Sequence, residues 1–191
     1  MSTGASTPTA VPSGTWAVDP AHSTVGFAVK HMGIATVRGE FTEFAGTLEV
    51  SEDPSSSKAY GTVTVQSVDS NEPQRDEHLR SADFFDAAEY PELRFESTRI
   101  EALDNEEFRI TGNLTIHGVT NEIVLYGQVQ GTDVDPWGNE RVGLELTGQL
   151  SRSDYGMKFN QGLSSGNMLI GDKIKLALDI SAVKQVTKGD A

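Results

Sequence analysis

The stretch FRITGNLTI, residues 108–116, carries the pattern that decides the fold. Apolar or small residues occupy every second position from Phe108 to Ile116, and polar residues occupy most of the positions between them. A period of two is typical of a β-strand with one apolar face and one face in water. We therefore predict a strand of an antiparallel sheet here, because such sheets commonly leave one face solvated.

The same alternation recurs on both sides of this strand, between Gly, Pro, Asn and Asp residues that are typical of turns. The second strand changes phase, since Val37 and Phe41 share one parity while Leu48 and Val50 share the other. A bend or β-bulge over residues 42–45 would reconcile the two halves. Eight strands are predicted in all, at residues 24–30, 37–50, 60–68, 93–101, 108–116, 123–129, 142–150 and 174–182.

Such a sheet must cover its apolar face, and the sequence offers one candidate helix to do so. Closure of the sheet on itself removes the apolar face from water without a second layer. We therefore predict an all-β protein, an eight-stranded antiparallel barrel with one short inserted helix. The interior of such a barrel either fills with side chains or holds one small ligand.

Glycines on the predicted inward face bear on whether this interior is filled. One interpretation is that they allow bends and bulges at the corners of the barrel. The other is that their missing side chains leave volume for a ligand, and both interpretations stay open at this point. The residues concerned are Gly39, Gly46, Gly112, Gly127, Gly143 and Gly148.

The segment QRDEHLRSADFFDAAEYPELRF, residues 74–95, interrupts the alternation. A short helix is predicted to begin after Ser70 or Asn71, either of which can cap it, with Pro73 in the first turn. The helix is polar on nearly every side, and an aromatic pair follows at residues 84 and 85. We predict that the helix crosses the mouth of the barrel with these rings beneath it, as a plug or as a ligand gate.

Composition excludes several classes of protein. The net charge of -13 argues against a nucleic-acid partner, because phosphate backbones are bound by clustered Lys and Arg. The absence of cysteine excludes disulfides and thiol catalysis. No apolar run reaches the length of a membrane span, and none near Met1 has the pattern of an export signal, so a soluble cytoplasmic protein is expected.

The two ends of the sequence are predicted to be flexible tails, at residues 1–14 and 184–191. The first is rich in Ser, Thr, Pro, Gly and Ala, which bury too little apolar surface to offset the entropy of ordering. A single domain is predicted between them, at residues 15–183.

The four histidines, at positions 22, 31, 78 and 117, do not follow any metal-binding spacing. No metal and no cofactor is therefore predicted. His22 and His117 are predicted at turns, where an imidazole can bond a backbone carbonyl. A barrel hydrolase or isomerase using His31, Asp76 and His78 stays an alternative, although no nucleophile elbow or phosphate loop is present.

Aromatic residues offer a different chemistry, because alternation places several rings inside the barrel. An open interior lined by such rings would favour a hydrocarbon chain, since each buried methylene contributes about 0.8 kcal/mol. Lys30, His31, Arg75 or Arg80 near the mouth would then meet an anionic or quinone-like head group. The candidate ligand-binding residues are Phe27, Val29, His31, Phe41, Phe44, Arg75, His78, Leu79, Phe84, Phe85, Phe95 and Phe108.

Several motifs in one order closely resemble the YceI-like family, over residues 15–182. They are D-P-x-H-S at 19–23, R-D-x-H-L-R-S at 75–81, D-F-F-D at 83–86 with Tyr90-Pro91, L-T-I-x-G-V-T at 114–120, and SRSDYGM at 151–157. On the family pattern the signature positions are Trp16, Asp19, His22, Ser23, His31, Asp76, His78, Leu79, Phe84 and Phe85.

This resemblance implies a lipocalin-like barrel that binds a polyisoprenoid lipid, an isoprenoid quinone or its precursor, often as a homodimer. The expected function is therefore non-catalytic binding, storage or transport of such a lipid. Many relatives are exported, and the missing export signal places the usual periplasmic or secreted role in doubt. A packed barrel that serves only as a protein-interaction module is a weaker alternative.

Overall fold

The computed structural model describes residues 11–186 and has eleven strands and one α-helix in that range. Four short 3₁₀ turns lie between them, at Pro20–His22, Pro54–Ser56, Val65–Ser67 and Arg152–Tyr155. The strands and the helix are β1 Gly14–Val18, β2 Thr24–His31, β3 Ala35–Phe41, β4 Phe44–Val50, β5 Lys58–Thr64, β6 Val68–Asp69, α1 Pro73–Arg80, β7 Glu92–Ala102, β8 Glu107–Ile116, β9 Val119–Val134, β10 Glu140–Ser151 and β11 Ile170–Lys184.

Eight of the strands close into a ring in the order β1-β4-β5-β7-β8-β9-β10-β11, with β11 paired back to β1. All strand pairs are antiparallel. The predicted all-β fold, an eight-stranded antiparallel barrel with one short helix, is therefore confirmed. β2, β3 and β6 extend the same sheet from β11, whose first half pairs with β2 and whose last residues pair with β1.

The predicted second strand is two strands in the structure, β3 and β4, which separate at residues 42–43. This is the bend that the change of parity indicated. The strand β1 was not among the predicted strands. The predicted tails lie largely outside the described residues, although Val11 packs against the core of the barrel and β11 continues to Lys184.

The ends of β1 and β2 are held by an ion-pair network. Arg141 donates from Nη1 to Asp19 Oδ2 at 2.9 Å and from Nε to Asp135 Oδ2 at 2.8 Å. His22 Nδ1 lies 2.8 Å from the same Asp19 oxygen. Hydrogen bonds from His22 and Arg141 lower the pKa of Asp19 to about 2, and the Arg141 guanidinium lowers the pKa of Asp135 to about 2.

His22 and His117 were both predicted to bond a backbone carbonyl at a turn, and the structure confirms this for His117 only. His117 Nδ1 lies 3.0 Å from the carbonyl oxygen of Tyr155, as predicted for a turn histidine. His22 bonds the Asp19 carboxylate instead of a backbone carbonyl, because Asp19 caps the same 3₁₀ turn and places its side chain beside the ring. Ser23 completes the motif, since its Oγ accepts from the Ser181 N–H of β11 at 2.9 Å. The D-P-x-H-S motif thus holds the fold.

Trp16 on β1 anchors the larger of two buried clusters. It is 0 % exposed, and its indole N–H donates to the Pro12 carbonyl at 3.0 Å. Around it pack inward residues of β8, β9, β10 and β11, including Ile110 and Val142. The second cluster gathers near α1, around Val65 and Tyr155. The two clusters lie toward opposite ends of the barrel.

Three inward glycines seat phenylalanine rings from the neighbouring strand. A Cβ atom added to any of these glycines would overlap the ring that lies over it. The ring therefore occupies the place of the missing side chain and lies against the wall of the barrel. The pairs are Gly39 with Phe27, Gly112 with Phe95, and Gly127 with Phe108.

The remaining predicted inward glycines divide into two groups. Gly46 and Gly148 face the side chains of Val18 and Leu125 inside the barrel. Gly143 was predicted inward, and this is wrong. It lies between the buried Val142 and Leu144 and therefore shares the outward parity of β10, where a Cβ would have the Gln130 side chain as its neighbour at 3.5 Å.

The helix α1 begins one residue later than the predicted caps allow. Glu72 is the N-cap, and its side chain accepts from the Gln74 N–H at 3.2 Å. Pro73 fixes the first helical position, which leaves the cap to the residue directly before it. Ser70 instead donates from its backbone N–H to Asp76 Oδ1 at 2.7 Å. Within residues 11–186 no helix combines the length and apolar character needed to cross a bilayer.

The seating of rings on glycines predicts a position-specific loss of stability. Gly127→Ala should lower the free energy of unfolding by about 1–3 kcal/mol, because the new methyl group forces the Phe108 ring out of its place. Gly143→Ala is the control, because its methyl group would point outward and make only an ordinary contact with Gln130. This substitution should change the free energy of unfolding by less than about 0.5 kcal/mol. If urea unfolding shows an equal loss of unfolding free energy for both variants, the proposed contact between the Phe108 ring and Gly127 is contradicted.

The ion-pair network predicts a pH-dependent effect of Arg141→Met. Because the folded pKa of Asp19 and Asp135 is lowered from 3.8 to about 2, the network stabilises the protein above pH 3.8, and this contribution is lost as the pH falls toward 2. The variant should melt at a lower temperature than the wild type at pH 7, and the difference should shrink by pH 2.

Thermal melts at several pH values check this prediction. Arg99→Met serves as the control, because Arg99 forms an exposed ion pair with Glu101 and such pairs contribute little to stability. A difference between Arg141→Met and the wild type that is the same at pH 2 and at pH 7 would contradict the role of the network.

Candidate ligand-binding cavity

A cavity of about 610 Å³ lies inside the barrel. This volume is within the range of about 300–1,000 Å³ typical of small-molecule sites. Residues from both ends of the strands line it, including His31 at the end of β2 and Lys58 at the start of β5. The cavity therefore extends from one end of the barrel to the other, and of the two possible interiors the structure has the hollow one.

The wall of the cavity is formed mainly by aliphatic and aromatic side chains. They come from the inward faces of nearly all strands, and many are only partly buried because they face the open space. Such a wall offers dispersion contacts along its length and few hydrogen bonds. Aliphatic residues of the wall include Val25, Leu48, Val63, Leu114, Leu146, Leu176, Leu178 and Ile180.

All twelve candidate ligand-binding residues line this cavity. Phe27, Phe95 and Phe108 lie on their glycine seats, and Phe41 packs against Phe27 with ring centroids 5.6 Å apart. Phe41 also meets Phe85 edge to face, at 5.6 Å. Lining a cavity is not the same as contacting a ligand, so their role in binding stays a prediction.

An aromatic cluster covers the end of the cavity near α1. The His78 ring lies 4.9 Å from the Phe84 ring and 5.1 Å from the Phe159 ring, edge to face in both cases. Phe84 and Phe159 are themselves 5.5 Å apart. His78 is thus part of an aromatic cover, as well as a partner of Asp83 at 2.9 Å. We call these three rings the aromatic cover.

Two residues of this end were missed by the sequence analysis, Phe159 and Arg152. Phe159 lies in a segment without alternation, between the 3₁₀ turn and β11, where the strand pattern carries no information. Arg152 is 4 % exposed and donates to three backbone carbonyls, those of Met157, Ile170 and Gly171. Burial lowers the pKa of its guanidinium. The motif at residues 151–157 contains Arg152 and ends two residues before Phe159, so it was a direct signal for Arg152 alone.

The charges that line the cavity differ between its two ends. Cationic side chains and histidines gather at the end near α1, whereas four glutamates and one lysine lie at the opposite end. Arg80 does not line the cavity, because it donates to the carbonyls of Gln66 and Val68, so its predicted place beside a head group is wrong. The first set is Lys30, His31, Arg75, His78, Arg94 and Arg152, and the second is Glu49, Glu52, Lys58, Glu106 and Glu107.

The residues of the alternative catalytic site are not joined in the structure. Asp76 is buried and accepts from the backbone N–H and the hydroxyl of Ser70. His78 instead meets Asp83, and His31 has no side-chain hydrogen bond within the described part of the chain. Among residues 11–186 no three His, Asp or Glu side chains gather as metal ligands.

The comparisons with known proteins agree with this architecture. The model of the YceI-like domain matches residues 16–182. Protein YceI of Escherichia coli O157:H7 is 36 % identical over 165 residues, which cover 86 % of this chain and 83 % of the relative. The UPF0312 protein plu2095 of Photorhabdus laumondii is 36 % identical over 145 residues, which cover 75 % of each chain.

Solved structures with the same fold include the YCEI protein of Campylobacter jejuni, with a TM-score of 0.70 and 31 % identity over 82 % of this chain and 90 % of that one. A polyisoprenoid-binding domain from Saccharophagus degradans has a TM-score of 0.64 and 14 % identity, over 89 % and 98 % of the two chains, and shows the fold alone. With the family model, the curated relatives and the barrel in agreement, the chain belongs to the YceI-like family.

Proposed function

We propose that the protein binds a long-chain polyisoprenoid lipid in the barrel cavity and stores or carries it without chemical conversion. The observation that supports this most directly is the apolar cavity of about 610 Å³ that extends along the barrel. Each methylene of a chain placed there would contribute about 0.8 kcal/mol, so a long chain can bind tightly without specific polar contacts. The Saccharophagus degradans domain of the same fold is described as polyisoprenoid-binding, which agrees with this choice.

We place the polar head group of the ligand at the end of the cavity near α1. Arg75 lines that end, and its Nε donates to the uncharged Ser70 Oγ at 2.7 Å. Lys30 Nζ instead donates to Thr36 Oγ1 at 2.9 Å on the exposed face of β2 and β3. The positive charge of Arg75 is thus available to the quinone carbonyls or the anionic group of a precursor. At the opposite end four glutamates outnumber Lys58, which disfavours an anionic head group there.

A cavity-filling substitution tests this proposal. Leu114 is inward, partly buried and in contact with both core clusters, so Leu114→Trp should obstruct the middle of the cavity. The affinity for a prenyl quinone should fall at least about tenfold, which corresponds to about 1.4 kcal/mol. Quenching of protein fluorescence during titration with the quinone measures this affinity.

The neighbouring residue provides the matched control. Asn113 is exposed on the outward face of β8, so Asn113→Trp adds the same ring outside and should leave the affinity unchanged. Wild-type protein that carries no lipid in native mass spectrometry and takes up no prenyl quinone would contradict the proposed function. Equal weakening by the two variants would instead contradict the position of the ligand.

We also propose that the protein is a homodimer, in the cytoplasm. A groove of about 1270 Å³ on the outer face of β2, β3, β9, β10 and β11 supports the homodimer. Small residues such as Gly26 and Ala177 line it and permit close approach of a second copy, and Tyr126, 53 % exposed, offers an aromatic anchor.

Sedimentation equilibrium tests the dimer. The wild type should sediment as a dimer at micromolar concentration, and Tyr126→Glu should shift it toward the monomer, because it introduces a charge into the interface. A wild-type monomer under these conditions would contradict the homodimer.

A further inference from the structure

Three exposed apolar side chains lie at the cationic end of the barrel. Ile34 is 79 % exposed, Met168 is 49 % exposed and Met32 is 36 % exposed. Ile34 and Met32 belong to the turn between β2 and β3, and Met168 belongs to the segment that leads into β11. We call these three residues the apolar tip. Exposed apolar side chains that lie side by side form a candidate interaction site.

The two segments of the apolar tip are bonded to each other. The Met32 N–H donates to the Leu169 carbonyl at 2.8 Å, and Asn167 Nδ2 donates to the Met32 carbonyl at 3.5 Å. The turn is closed by the Ile34 N–H, which donates to the His31 carbonyl at 3.1 Å. The apolar tip is therefore a single surface presented by two connected segments.

The apolar tip is also continuous with the cavity. Lys30 and His31 directly precede Met32 and line the cavity, and Leu169 and Ile170 directly follow Met168 and line it as well. A surface that the apolar tip contacts would therefore lie beside the end of the cavity. A ligand that leaves that surface at this point would travel only a short distance through water.

The charge around the apolar tip differs in sign from that of the whole protein. The chain has 28 acidic residues and a net charge of -13, yet residues 28–39 and 156–171 contain no Asp or Glu. These two segments contain Lys30, Arg38 and Lys158. Asp172 directly follows the second segment and Asp83 pairs with His78 at the same end, so the local excess of positive charge belongs to these two segments alone.

We propose that the apolar tip docks on the surface of a lipid bilayer that contains anionic lipids. Exposed Ile and Met side chains enter the region between head groups and acyl chains, and the neighbouring cations meet the lipid phosphates. Docking in this way brings the end of the cavity to the membrane, where polyisoprenoid lipids reside. This extends the proposed function, but binding to the bilayer does not require a ligand in the cavity.

Vesicle flotation of the full chain tests the proposal. Wild-type protein should bind vesicles of phosphatidylcholine with phosphatidylglycerol more strongly than vesicles of phosphatidylcholine alone. The double variant Ile34→Ser with Met168→Ser should bind the mixed vesicles at least about tenfold more weakly, because it removes two exposed apolar side chains. Lys30→Gln with Lys158→Gln should weaken binding to the mixed vesicles severalfold and leave binding to phosphatidylcholine unchanged.

A control at the opposite end of the barrel separates docking from general surface hydrophobicity. Val134 and Trp137, 58 % and 80 % exposed, lie at the turn between β9 and β10. Val134→Ser with Trp137→Ser removes a comparable apolar surface and should leave vesicle binding unchanged. Equal loss in both double variants, or no binding of wild type to the mixed vesicles, would overturn the proposal.

Lipid uptake distinguishes this inference from the proposed function. The Ile34→Ser with Met168→Ser variant should take up prenyl quinone from vesicles more slowly than wild type and reach the same final occupancy. If quinone binds but vesicles do not, the docking inference fails alone, whereas vesicle binding without quinone uptake contradicts only the proposed function. If the apolar tip mediates association between copies of the chain instead, sedimentation of the tip variant will show it, and the inference is overturned.

Discussion

The open interior of this barrel depends on the contact between phenylalanine rings and the glycines beneath them. A phenyl ring that points inward from a barrel of eight strands would fill much of the available space. When the neighbouring strand offers glycine beneath the ring, directly opposite as for Phe27 and Phe108 or diagonally as for Phe95, the ring can lie against the wall instead. Phe27, Phe95 and Phe108 are all placed in this way, on three different strand pairs. Pairs of phenylalanine and glycine on adjacent strands therefore keep the interior of the barrel open.

The motifs that resemble the family pattern serve two separate purposes. The residues from Asp19 to Ser23 connect β1 and β2 to Arg141 and Ser181, and none of them touches the cavity. The residues of α1 have two roles: Asp76 accepts a hydrogen bond from Ser70 and holds the fold, while His78 and Leu79 line the cavity. A motif that first suggested acid-base chemistry thus contributes one structural carboxylate and one ring of the aromatic cover.

Alternation predicted most strands of the barrel, although not β1, and the lining residues that lie on those strands, because burial on one face of a strand is a period-two property of the sequence. It failed where the structure depends on contacts between distant segments. Phe159 joins the aromatic cover from a segment without regular structure, and Arg152 orders the same segment through backbone carbonyls. The error at Gly143 came from assigning a glycine inward against the parity of its own strand, whose neighbours Val142 and Leu144 are buried.

A crystal structure of the protein grown with a four-unit prenyl quinone tests the central claim most directly. Our account predicts elongated electron density along the barrel, with the chain in contact with Phe27, Phe95 and Phe108, and the quinone ring near Arg75. The three rings should stay on Gly39, Gly112 and Gly127. Side chains that fill the interior, or a quinone bound only on the outer face of the barrel, would contradict it.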